Sequence, residues 1–191
     1  MGHVHLDRPI LHAAAGRVHA GAVVAARSGW TKVPLFAGGG VVWGIAARGW
    51  MRLLSTDPEF SWSGTIVIVM IATLVWTGGG IAAASRNSSA RIRRVGRVFG
   101  SVLCLVLGFG QGLLLLPTAL FGGLSLARSS WSQSRRVLLG ALAALPVVAL
   151  MTIAWREPAY SLARRFELTL ATPLLCLALC IPYAAAFGEV D

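Results

Sequence analysis

Charge is what this chain has least of. Aspartate, glutamate, lysine and arginine make up 13% of its 191 residues, about half the share found in ordinary soluble domains. Acids are scarcest: seven in all, each near the end of an apolar segment or a terminus. An ion-coupled pump needs buried carboxylates, so that class is disfavoured. Lysine is nearly missing, with Lys32 the only one among seventeen basic residues. Together with heavy Ala and Gly usage, this reflects GC-rich coding and carries no chemical signal. The histidines, His3, His5, His12 and His19, all lie near the start, which removes His-based acid–base work from the apolar segments. His3-Val4-His5 is a weak metal-binding pair with no carboxylate or thiol cluster to complete it. The three cysteines, Cys104, Cys176 and Cys180, sit inside apolar runs and fit neither a disulfide framework nor zinc spacing. Cys176 and Cys180, one helical turn apart, read as small apolar residues on one face. A Gly-Lys-Ser/Thr phosphate loop, His-Glu-x-x-His and Cys-x-x-Cys are all missing. No catalytic residue, metal site or cofactor is therefore assigned.

What the chain has is apolar surface. Hydrophobic residues make up 56% of it, more than a soluble core of this length can hide. A bilayer can take up that surface, at about 20 apolar residues per spanning helix. The net charge of +10 comes from arginines that flank the apolar segments. That placement points to orientation in a membrane and away from nucleic acid. The expected partners are the lipid bilayer and either a partner helix or a second copy of the chain.

The expected fold is all-α: a polytopic transmembrane helical bundle of five spans, with four as the alternative. Residues 1–32 form a polar tail, poorly ordered or a short surface helix, with no cleavable signal peptide. Residues 33–188 form the transmembrane domain and residues 189–191 a C-terminal tail. The first span is expected over Pro34–Leu54 and the second over Ser63–Ala84. From Val98 to Ala127 the chain stays apolar for longer than one span requires. It is either one tilted, kinked span whose Gln111 bonds to a neighbouring helix, or a broken or re-entrant helix lining a polar cavity. A fourth span is expected over Val137–Trp155 and a last one over Leu168–Phe187. The loop between those two carries a short amphipathic surface helix around Tyr160, Ala163 and Phe166.

Orientation follows from arginine placement. Five spans with a cytoplasmic N-terminus put twelve basic residues inside: four in the tail, five in loop 85–97 and three in loop 156–167. Five lie outside: Arg48, Arg52, Arg128, Arg135 and Arg136. The positive-inside rule favours this multi-pass arrangement in the cell membrane. If residues 98–127 enter and leave on one side, loop 128–136 becomes cytoplasmic and everything after it inverts.

The most informative stretch joins the first two spans, from Ala47 to Thr65. It holds Arg48, Arg52, Asp57 and Glu59, with Trp50 and Trp62 placed as interfacial aromatics. Two readings are open. In one, Arg48 and Arg52 complement the dipole at the end of the first helix, and Thr56-Asp57-Pro58-Glu59 caps the next, giving a charged hairpin. In the other, the two arginines bind an anionic group such as lipid phosphate, oriented by Asp57 or Glu59. Small-residue pairs at Gly40/Gly44, Gly96/Gly100 and Gly108/Gly112 suit close helix association, within the protein or with a partner.

The run Trp50-Met51-Arg52, followed by Asp57-Pro58-Glu59-Phe60-Ser61-Trp62, resembles a stretch found in uncharacterised actinobacterial integral membrane proteins. The likeness covers about thirty residues, from Trp43 into the second span. It implies a membrane location and a source, and no reaction. The expected function is that of a non-enzymatic structural, regulatory or accessory subunit acting through helix packing and the outer hairpin. The alternative is a lipid-handling enzyme or small transporter built on Arg48, Arg52, Asp57 and Glu59.

Overall fold

A computed structural model describes residues 29–56, 61–108 and 115–188. Asp57, Glu59, Gln111 and Gly112, with the tails at 1–28 and 189–191, lie outside the described residues. The described residues form six helices: α1 (Lys32–Leu54), α2 (Trp62–Ser85), α3 (Ala90–Gly108), α4 (Leu116–Ala127), α5 (Gln133–Arg156) and α6 (Leu162–Phe187). Three of them, α2, α5 and α6, are long and apolar enough to cross a membrane. The chain is thus a helical integral membrane protein; the expected count of five spans is not confirmed.

Two expected boundaries move. The surface helix expected around Tyr160–Phe166 is not separate, because α6 already begins at Leu162. Its start is capped by Ser161, whose hydroxyl accepts from the Arg164 N–H at 3.3 Å. The start of α2 is fixed at Trp62 by Ser61, whose hydroxyl accepts from the Gly64 N–H at 3.2 Å. The stretch from Val98 to Ala127, read as one kinked span or as a broken or re-entrant helix, is divided between α3, which already begins at Ala90, and α4.

α6 packs against all five other helices. α2 packs against α1, α3 and α6, and its Gly78-Gly79-Gly80 shows how one helix serves three neighbours. Consecutive helical residues point about 100° apart. A Cβ on Gly78 would meet the Gly100 carbonyl oxygen of α3 at 3.0 Å, one on Gly79 the Pro182 carbonyl oxygen of α6 at 2.6 Å, and one on Gly80 the Phe36 Cβ of α1 at 2.9 Å. Gly40 and Gly44 lie equally close to α2, at Thr73 Cα (2.7 Å) and Val69 Cα (2.8 Å). Gly96 and Gly100 face α2, and Gly108 faces Tyr183. These small-residue stripes are used inside the bundle.

The contacts also set helix directions. α6 begins beside the end of α1, where Arg164 bonds to residues 52–55. It finishes beside the end of α2, where Arg86 donates to the Ala185 carbonyl at 2.7 Å. One end of the bundle, the hairpin end, therefore holds residues 52–56, 61–62 and 156–164. The other, the basic end, holds residues 29–32, 85–90 and 185–188. α3 starts at the basic end and runs antiparallel to α2. Its Gly96 meets Ser85 and its Cys104 Sγ donates to the Val75 carbonyl at 3.4 Å, about halfway along α2. α4 runs parallel to α6, since Gly122 meets Cys180 and Gly123 meets Tyr183 and Ala184. It therefore finishes at the basic end, where Ser125 and Arg136 exchange two hydrogen bonds. The chain from 90 to 127 enters and leaves at one end. The five-span arrangement put the Arg48/Arg52 segment and loop 156–167 at opposite ends. The structure corrects this and joins them.

Candidate functional site

The site expected from sequence is the turn between α1 and α2. A helix leaves its last four carbonyls without partners. In α1 the carbonyl of Met51 is closed by the Ser55 N–H at 3.1 Å. The next four are taken from outside. Arg164 Nε donates to Leu53 O at 2.7 Å, and its terminal nitrogen donates to Arg52 O at 3.1 Å and Ser55 O at 2.5 Å. The Tyr160 hydroxyl donates to Leu54 O. The Arg164 guanidinium also stacks 4.6 Å from the centre of the Tyr160 ring, a cation–π contact that holds the fork in place. A cation at a helix C-terminus opposes the negative end of its dipole.

That role was expected of Arg48 and Arg52. Arg48 instead reaches across the turn: its Nε donates to Thr65 Oγ1 at 3.1 Å. The Thr65 hydroxyl passes its own proton to Ser61 O at 2.9 Å. Arg48 thus ties α1 to the first turn of α2. Arg52 is exposed at its side chain, and its carbonyl is one of those taken by Arg164. Asp57 and Glu59, the expected carboxylate partners, lie outside the described residues, as does Gln111.

Trp62 is 72% exposed, as an aromatic facing lipid headgroups should be. Trp50 is corrected: it is buried, and its indole N–H donates to Thr172 Oγ1 at 2.8 Å. Trp43, two helical turns earlier on the same face, donates to the Leu175 carbonyl at 2.9 Å. Both indoles clamp α1 to α6. The small Ala47 between the two indoles leaves room on α1 for this face to close. The void between them, lined by Trp43, Trp50, Leu115 and Thr172, is about 10 Å³, at the limit of what one water needs.

The thiols are internal. Cys180 Sγ donates to Cys176 O at 3.2 Å, and the Tyr183 hydroxyl donates to Cys104 O at 2.8 Å. Among the described residues, no group of three His, Cys, Asp or Glu side chains is placed to hold a metal ion. An apolar groove of about 310 Å³ lies between α4, α5 and α6. Sequence reasoning missed Arg164, Tyr160, Trp43, Thr172 and Arg136. The basic and aromatic residues after Arg156 were visible, but nothing local tied them to a carbonyl more than a hundred positions earlier. Comparisons with protein-family models, with curated proteins and with solved structures find no match to this chain.

Proposed function

We propose that this chain is a non-enzymatic accessory or regulatory subunit of the cell membrane that works as a rigid scaffold. One observation carries the reading: Arg48 and the carbonyl end of α1 are committed to contacts within the fold. Arg48 bonds to Thr65, and the end of α1 is closed by Arg164 and Tyr160. A binding site for an anionic group would keep guanidinium donors facing outward in a cleft. The likeness to actinobacterial membrane proteins of no assigned reaction is consistent with this.

In the proposed topology α1, α2, α5 and α6 cross the membrane, while α3 and α4 form a re-entrant pair. α3 packs against α2 and α6, and α4 against α6, so the pair is lined by protein, as a re-entrant pair needs. Among the described residues, nine basic side chains then lie at the basic end and five at the hairpin end. The positive-inside rule places the basic end, with the start of α1, in the cytoplasm. Reporter fusions after Ser88 and Ser132 should read the same side and a fusion after Ser161 the opposite one. Ser88 and Ser161 on one side would restore the five-span arrangement.

The functional test is purification from native membranes after crosslinking. A stoichiometric partner is the expected result. Arg48→Gln and Arg52→Gln should lower membrane abundance and phenotype together. Lost phenotype at normal abundance would favour the lipid-handling or transport alternative.

A further inference from the structure

The groove between α4, α5 and α6 is apolar along its length. Its inner part is walled by Ala143, Val147, Pro173 and Cys176. Towards the basic end it reaches Ser125 and Gly140. From Gly140 to Val148 it follows eight residues of α5, about 12 Å at helical rise. Ser125 also lines a second hollow, of about 470 Å³, with Trp131, Gln133 and Arg136. This hollow is polar, and Arg136 is exposed in it, its Nε bonded to Ser125 O. The apolar groove and a pocket holding a cation, a carboxamide and an indole thus meet at a shared wall residue, Ser125. We propose that this pair of spaces binds one anionic phospholipid, its phosphate at Arg136 and one acyl chain in the groove.

The charge of the pocket selects this occupant. Lipid tails are as apolar as leucine, so a groove inside a bilayer gains nothing from the hydrophobic effect when a tail enters it. Preference must come from the headgroup end. There the guanidinium matches phosphate oxygens, and Trp131 suits the headgroup depth. A helix of a partner or of a second copy would fill the groove but would leave Arg136 with no anion.

Tryptophan quenching tests the proposal. The full chain is reconstituted in phosphatidylcholine vesicles containing a minor share of phosphatidylglycerol, with brominated acyl chains on one lipid or the other. The quenching that disappears in Trp131→Phe reports the pocket. Brominated phosphatidylglycerol should be favoured there about fivefold over its share of the bilayer, the factor expected for one arginine near the surface. Arg136→Gln should bring that preference close to one. Ala144→Phe fills the groove from an exposed position of α5 without altering charge, and should also remove it. Equal quenching by the two lipids would overturn the proposal. So would a preference that survives Ala144→Phe, since that marks surface electrostatics alone. A chain that crosslinks as a dimer until Ala144→Phe is introduced would assign the groove to a second copy instead.

Discussion

α2 and α5 are each 24 residues long and each able to cross a membrane, yet 39% of the most apolar stretch of α2 is buried inside the bundle against 11% for α5. Of these two stretches, that of α5 is the more apolar, although α5 as a whole carries arginines at both ends. In water the more apolar helix would be the more buried one. In a bilayer, tails solvate leucine and valine as well as protein does, so apolar character does not draw a helix inward. What draws α2 inward is smallness. Its buried positions are glycine, alanine, serine and a single valine, and backbone atoms of α1, α3 and α6 come within van der Waals reach of it.

The strongest way to break this contrast is to enlarge a residue at the seam. Gly79→Leu should destabilise the protein by about 3 kcal/mol or more, because the new side chain meets the Pro182 backbone and neither helix can give way. Reversible unfolding in mixed detergent micelles would show it; a normal transition would mean that α2 and α6 are not in contact there. Arg164→Met removes three hydrogen bonds to carbonyls and keeps the bulk. It should cost about 2 kcal/mol, since bonds from a charged donor are the strong ones. A smaller loss, about 0.6 kcal/mol, is expected for Trp43→Phe, near the average for interhelical bonds in membrane proteins. The gentlest test uses one chemical change on both helices. At Gly140 of α5 an added Cβ finds only Ser125 Oγ at 3.9 Å, so Gly140→Ala should stabilise by up to about 0.8 kcal/mol through helix propensity. Gly79→Ala should do the reverse. Melting temperatures that move in the same direction for both would erase the contrast.

The helices were legible where apolar runs ended in polar breaks. The bounds expected from sequence for the second span differ from those of α2 by one residue at each end, and both ends of α1 fall within two residues of expectation. The glycine pairs were legible as close contacts, though not which helix each would face. Depth and direction were not legible. Nothing within 90–127 distinguishes a crossing from a return, because the difference lies in contacts such as Cys104 with Val75 and Gly123 with Tyr183. Trp50 was misplaced for the same reason. An indole near the end of a span suits a headgroup boundary equally well as a distant threonine, and Thr172 decides between them from 122 positions away.

The hub position of α6 has a consequence for how the protein comes into being. Of the six described helices it is the last to leave the ribosome, and it touches each of the other five. Until it arrives, the indoles of Trp43 and Trp50 and the carbonyls at the end of α1 lack the partners that hold them in the finished bundle. Contacts that span so much of the chain are slow to form. These groups therefore gain their partners only once α6 has been made, and closure of the bundle waits on it.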